Sequence, residues 1–246
     1  MSCRAALALA ASLLLAAGCG SEELTPEPDA GTQPITDLNP CLGAPDAGAR
    51  APDAFADRIV SFAPGEGAGF GQDLCPGIVL GSPEGMGEGN GSLHTLSLGK
   101  GGSIVLELTD TVAVNGPGVD LLVFENAFAH GSSGATFAEP GVVAVSEDGV
   151  KWSELPCAAS DEAGGYPGCA GVRPVFASST NGISATDPSV AGGDGFDLAD
   201  FPDAPARVRF VRITDSGLNP NVAPSGGFDL DALAVVNGAP HPGGAP

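Results

Sequence analysis

The chain has 246 residues, with 30 Asp and Glu against 9 Lys and Arg, a formal net charge of -21 and a pI of about 4.1. Such a surface repels a polyanion almost everywhere, which excludes nucleic acid as a partner and electrostatic adsorption to an anionic bilayer as a mode of attachment. With 38 Gly, 22 Pro and 43% hydrophobic residues, the composition suits neither a helical bundle nor a coiled coil; turn-rich chains with short apolar runs build all-β sandwiches or barrels, often as one domain of this size.

At the amino terminus a single basic residue, Arg4, precedes the apolar run Ala5 to Ala17, which is about half of the ~20 residues that span a bilayer. Residues 1–18 therefore read as a signal peptide. Its end, Leu15-Ala16-Ala17-Gly18-Cys19, resembles the lipobox of bacterial lipoproteins, with Ala16 where leucine is commoner. The resemblance implies that Cys19 is lipidated, becomes the first mature residue and anchors the chain to a membrane on its extracytoplasmic side. Residues 19–54 are rich in Pro, Asp, Ala and Gly without apolar alternation, the composition of a disordered tether. Once Cys3 and Cys19 are set aside, Cys41, Cys75, Cys157 and Cys169 remain, and an oxidising compartment makes them two disulfides. Three pairings are open; the short Gly/Pro/Ala loop between Cys157 and Cys169 favours that pair, leaving Cys41 with Cys75.

The folded part is expected over residues 55–237, with a linker-like tail at 238–246. Strands are expected near Arg58 to Phe62, Ser92 to Leu98, Ser103 to Leu108, Asp120 to Glu125, Gly141 to Ser146, Lys151 to Leu155, Arg207 to Asp215 and Asp229 to Val236. No segment sustains a 3.6-residue period, so helix content should be low. The run Val119-Asp120-Leu121-Leu122-Val123-Phe124 is apolar on both faces, as the centre of a sandwich requires. Asp148-Gly149, between two strand-like runs, predicts a tight hairpin turn.

That hairpin, Val143 to Leu155 with Ser146, Asp148, Gly149 and Trp152, together with the later strand Ala206 to Ile213, resembles the corresponding parts of discoidin or coagulation-factor type C modules. The resemblance implies a single galactose-binding-like, jelly-roll-like β-sandwich. A closer likeness is to a family of bacterial exported cell-surface proteins. It is carried by Val79-Leu80-Gly81, Ser97 to Ser103, Gly116 to Asn126 and Gly227 to Ala232. This likeness implies surface exposure and a β-sandwich, and brings no established activity with it.

Two stretches echo one another, Gly192-Gly193-Asp194-Gly195-Phe196-Asp197 and Gly226-Gly227-Phe228-Asp229-Leu230-Asp231. Calcium takes six to eight hard oxygen ligands in a flexible cage, which Asp side chains beside glycines can supply. In an extended strand Asp229 and Asp231 point to one side. With Asp194, Asp197 and the strand end Glu125-Asn126, they form a candidate structural calcium site, against the alternative that these acids cap turns or pair with arginines. Arg207 and Arg209 share a strand face, which suits a grip on a carboxylate or on sugar hydroxyls; salt bridges to nearby acids are the competing reading. Trp152 is expected in the core, whereas Tyr166, on the presumed disulfide loop, is a candidate for stacking on a sugar ring.

No Gly-x-Ser-x-Gly elbow, His-Glu-x-x-His helix or phosphate loop occurs, and His94, His130 and His241 are far apart in sequence. The expected function is a lipid-anchored cell-surface binding or adhesion module, not an enzyme, with a glycan or a surface protein as ligand through Tyr166, Arg207 and Arg209. The alternatives are a purely structural envelope lipoprotein and a hydrolase built on two carboxylates such as Glu125 and Glu139.

Overall fold

The computed structural model describes residues 41–42, 52–130, 135–219 and 222–241, all in one unit of the chain. The signal segment, Cys19 and most of the tether lie outside the described residues. The strands are β1 (Arg58–Ala63), β2 (Leu96–Ser97), β3 (Ser103–Glu107), β4 (Thr111–Ala113), β5 (Leu121–Phe124), β6 (Phe128–His130), β7 (Ala135–Phe137), β8 (Gly141–Ser146), β9 (Ser153–Glu154), β10 (Asp194–Phe196), β11 (Phe210–Asp215), β12 (Asp229–Leu230), β13 (Ala232–Val235) and β14 (Gly238–Pro240). Among the described residues the only helical elements are short 3-10 turns, and every strand pair is antiparallel. The protein is an all-β sandwich.

One layer is a five-stranded sheet in the order β1-β3-β11-β8-β9, and a three-stranded sheet, β10-β5-β13, supplies the other. Ile104 and Leu106 of β3, Val143 and Val145 of β8, and Val211 and Ile213 of β11 alternate into a common core with Leu121, Val123, Leu233 and Val235. Burying each such side chain stabilises the fold by roughly 1.5–3 kcal/mol. A bulge in β1 between Ile59 and Ser61 brings Ile59 and Phe62, three residues apart, into that same core.

The double apolar pattern of β5 has a direct structural counterpart. Leu121 and Val123 enter the main core, while Leu122 and Phe124 pack with Ala232, Ala234, Val175, Ala177 and Ala191 in a second cluster on the opposite face. Gly193 permits this second packing, since a Cβ there would lie 2.6 Å from the Phe124 ring, and its φ of 71° favours glycine.

Both disulfides form, Cys41–Cys75 and Cys157–Cys169. The connection between β8 and β9 is longer than a two-residue turn. Only Gly149 of the Asp148-Gly149 pair has positive φ, 73°. Asp148 instead accepts from the Val150 and Lys151 amides at 2.8 Å each, and the Ser146 hydroxyl ties Gly149 to the Lys151 carbonyl, so side chains close the loop. The last expected strand is broken at Asp231. Phe228, Leu230, Leu233 and Val235 face the main core while Ala232 and Ala234 face the second, a three-residue step that strict alternation does not contain. The tail is also shorter than expected, because Gly238–Pro240 pairs with β4 and the His241 amide donates to the Asp110 carbonyl. The fold likewise begins before residue 55, since the Ala54 carbonyl accepts from Val235 and Cys41 is buried.

Candidate functional site

In a chain so poor in cations, buried carboxylates must find partners among backbone amides. Asp215 accepts from the amides of Gly101 (2.7 Å), Gly217 (2.7 Å) and Phe228 (2.9 Å) and from the Asn219 side chain. Asp120 clamps Gly116, Leu198 and Asn237 in the same way. Both are structural. Glu107, 2% exposed, is held instead by Arg58 at 3.0 Å and by Arg209.

The metal-candidate acids fall into two groups. Asp197 is a helix cap, its side chain accepting from the Ala199 amide at 2.8 Å. Asp231 accepts the Glu84 amide with both oxygens, at 3.1 and 3.0 Å, and faces His94 Nδ1 at 4.0 Å. It does not join Asp229 in one half-site, because the strand break at Asp231 turns the two side chains into different surroundings. His94 is accordingly not isolated, and the facing carboxylate of Asp231 pushes its pKa up.

Asn126 and Asp229 do meet, and Glu125 precedes Asn126 at the end of β5. The Asn126 side-chain amide donates to Asp229 Oδ2 at 3.3 Å. Both Glu125 oxygens, Asp229 Oδ1 and Asn126 Oδ1 are buried without a hydrogen-bond partner, and Glu125 is only 1% exposed. Burial first, then the charges of Glu139 and Asp229, outweigh the Asn126 backbone amide and drive the Glu125 pKa well above the ordinary carboxylate range. Burial likewise raises Asp229 to about 6, against the opposing pull of Ser97 and Asn126. An all-oxygen donor set of this kind matches a hard cation such as calcium. The set is open: among the described residues only Asp53, Asp57 and Asp110, partly exposed at the β4 end, bring three carboxylate oxygens within 4.8 Å of one another. A cation at Glu125 and Asp229 would therefore draw on Asn126 Oδ1 as well as on carboxylates. Sequence reading missed the Asp53, Asp57 and Asp110 group because it forms only when the amino-terminal segment docks on the sheet.

Asp194 performs a different task. Its Oδ2 accepts from the amides of Gly171 (2.7 Å) and Val172 (2.9 Å), and its Oδ1 lies 4.0 Å from Arg173 Nε. Gly171 is required there, since a Cβ would sit 2.3 Å from the Glu139 carbonyl oxygen at a φ of 81°. Burial pushes Asp194 up to about 7, outweighing the two amides and Arg173.

Asp194 also lines a cleft of about 380 Å³ together with Tyr166, Arg173, Asp197, Asp200 and Phe196. Tyr166 reaches it from the Cys157–Cys169 loop with a φ of 55°, an outlier for a bulky residue. The conformation is fixed by the Tyr166 amide on the Asp161 carbonyl (2.9 Å), the Cys169 amide on the Tyr166 carbonyl (3.1 Å) and the disulfide itself. Such strain gathers at functional sites, where it costs of order 1–3 kcal/mol.

Arg207 and Arg209 are not in this cleft. Arg207 donates to the Pro240 carbonyl at 3.2 Å, and Arg209 pairs with Glu107 while lying 5.0 Å above the Phe210 ring. The arginine that lines the cleft with Tyr166 is Arg173, which no sequence signal singled out. Trp152 is half-exposed, stacked under Arg212 at 4.7 Å, and is not a core residue.

These features define a disulfide-linked β-sandwich with an aromatic, acid-lined cleft and a buried cluster of carboxyl oxygens. No protein-family model and no curated protein matches the chain. Among the described residues no helix is long and apolar enough to cross a membrane.

Asp194 and Asp229 hold protons in the folded state at pH values where the unfolded chain has already lost them, so stability is full below about pH 4 on their account and falls as pH rises through 6 to 7. In chelator the melting temperature should therefore drop from pH 5 to pH 8. Asp229→Asn should flatten that slope; an equal slope in the variant would remove Asp229 from the account.

Proposed function

We propose that the protein is a lipid-anchored, extracytoplasmic binding module whose ligand is a glycan held in the Tyr166 cleft. The observation that carries the reading is Tyr166, held at a strained backbone φ of 55° in the lining of a polar cleft that also contains Arg173, Asp194, Asp197 and Asp200. A rigid aromatic face stacks on a pyranose at little entropic cost, and carboxylates with an arginine offer hydrogen bonds to its hydroxyls. The disulfides suit an oxidising compartment. The hydrolase alternative finds little support, because Glu125 and Glu139 line neither this cleft nor the second one beside Trp152. A galactose-binding-like jelly roll, as the resemblance implies, is a fold that accommodates this role.

A glycan array is the direct test. Binding by the wild type should weaken at least tenfold in Tyr166→Ala and in Arg173→Ala, about 1.4 kcal/mol or more, and stay unchanged in Arg207→Ala. A silent array would favour the purely structural envelope role. Mass spectrometry of the mature protein should find a diacylated or triacylated Cys19 as the first residue; an unmodified terminus beyond Cys19 would end the anchored reading.

Calcium is the structural ion we assign to the Glu125, Asn126 and Asp229 cluster, supported by its four orphaned oxygens. An ion that binds only the folded state raises the melting temperature by mass action. Millimolar calcium at pH 8 should raise it by several degrees over chelator, and Glu125→Gln, which keeps the side-chain shape, should abolish the increase. A calcium response that survives Glu125→Gln but vanishes in Asp57→Asn would move the ion to the Asp53, Asp57 and Asp110 group.

A further inference from the structure

A second cleft, of about 400 Å³, is lined by Trp152, Lys151, Asp148, Ser153, Pro202 and Asp203, among others. Its lining and that of the Tyr166 cleft come from neighbouring residues on two segments. On one wall Ser153 lines the second cleft and Leu155 the first, two residues on and about 7 Å along an extended chain. On the other wall, Pro202 and Asp200 stand in the same relation. The Ser153 hydroxyl donates to the Pro202 carbonyl and ties the two segments together.

The two clefts share a second property. The chain has one Tyr and one Trp, and each lines one of them. Among the described residues the two non-glycine positions with positive φ are Tyr166, at 55°, and Asp203, at 53°, again one to each cleft. Trp152 is held in orientation by Arg212, which stacks on one face of the indole and pairs with Glu154 at 3.3 Å. The half-exposed indole keeps further surface for a ligand. Both linings are acidic, with Glu147, Asp148 and Asp203 against Lys151 in one and Asp194, Asp197 and Asp200 against Arg173 in the other.

We propose that the two clefts are subsites of one groove across β9 that takes an extended oligosaccharide, neutral or amino-bearing, with Tyr166 and Trp152 as stacking platforms at its two ends. The proposal rests on the glycan reading of the Tyr166 cleft. The lining charge rejects uronate and sialate chains by like-charge repulsion. An extended peptide is a poorer occupant, because β9 spans only Ser153–Glu154 and gives an added strand almost no backbone to pair with. Two linked subsites add their contributions within one ligand, so affinity must depend on ligand length.

The test titrates the disulfide-intact protein with oligosaccharide ladders of one to six units: cello-, chito- and chitosan-oligosaccharides, and oligogalacturonate as the anionic series. Affinity should rise at least tenfold between the disaccharide and the hexasaccharide in a neutral or amino series, with no binding of oligogalacturonate. Trp152→Ala should remove the length gain and leave disaccharide affinity intact, whereas Tyr166→Ala should lower both. Lys151→Ala, an exposed change that leaves the core untouched, should weaken only the longer ligands and serves if Trp152→Ala folds poorly. Length-independent binding unaffected by Trp152→Ala or Lys151→Ala would overturn the groove and leave the single cleft standing. Absence of binding in every ladder would overturn the glycan reading and the groove with it, and tightest binding of oligogalacturonate would overturn the charge argument.

Discussion

The rest of the structure depends on the burial of β5 on both faces. A central strand without a solvent face must be covered twice, once by the opposite sheet and once by something else. Here the second cover is the segment around Val175, Ala177, Ala185 and Ala191, which has almost no regular structure of its own. Such a segment has to be pinned by side chains, and Asp194 pins it by capturing the Gly171 and Val172 amides. The same clamp sets Arg173 at the rim of the cleft, so the cover that completes the core also builds one wall of the candidate binding site.

Among carboxylates of nearly equal burial, partners decide the role. Asp120 and Asp215 each receive several amide N–H groups, and a charged acceptor so satisfied contributes to stability. Glu107 sits between two arginines. Glu125 has no arginine and no clamp of several amides, and a buried charge so poorly satisfied costs several kcal/mol, far more than any surface ion pair returns. A proton is one physical remedy, and burial accordingly holds the Glu125 carboxyl well above the ordinary carboxylate range. The cluster and the cleft are linked through Asp194, whose charge reaches Glu125 while its backbone contacts shape the Tyr166 side.

Much of this was legible in the sequence, for local reasons. Signals carried by neighbouring residues held: the low helix content, the strands at β3, β5 and β8, the double apolar face of β5, and the two disulfides, among whose three open pairings the short Cys157–Cys169 loop favoured the observed one. The position of Tyr166 on a loop was legible as well, since a 12-residue disulfide separation confines what lies between its cysteines. The short strands β4, β6, β7, β10 and β14 escaped because two or three residues carry no periodicity, and β14 lies within a Gly/Pro segment that reads as linker.

What the sequence by itself determined is therefore the class of fold, its covalent staples and the supply of oxygen-bearing side chains beside glycines. Tertiary structure alone decided which of those oxygens meet. Asp229 and Asp231 are two residues apart and serve different loops, because the strand breaks between them. Arg207 and Arg209, conspicuous in sequence, turn to Pro240 and Glu107, while the unremarkable Arg173 stands beside Tyr166. The physical reason is that strand periodicity reports only which way a side chain points from its own backbone, whereas partners 30 to 150 residues away are chosen by sheet order, bulges and the burial that the core demands.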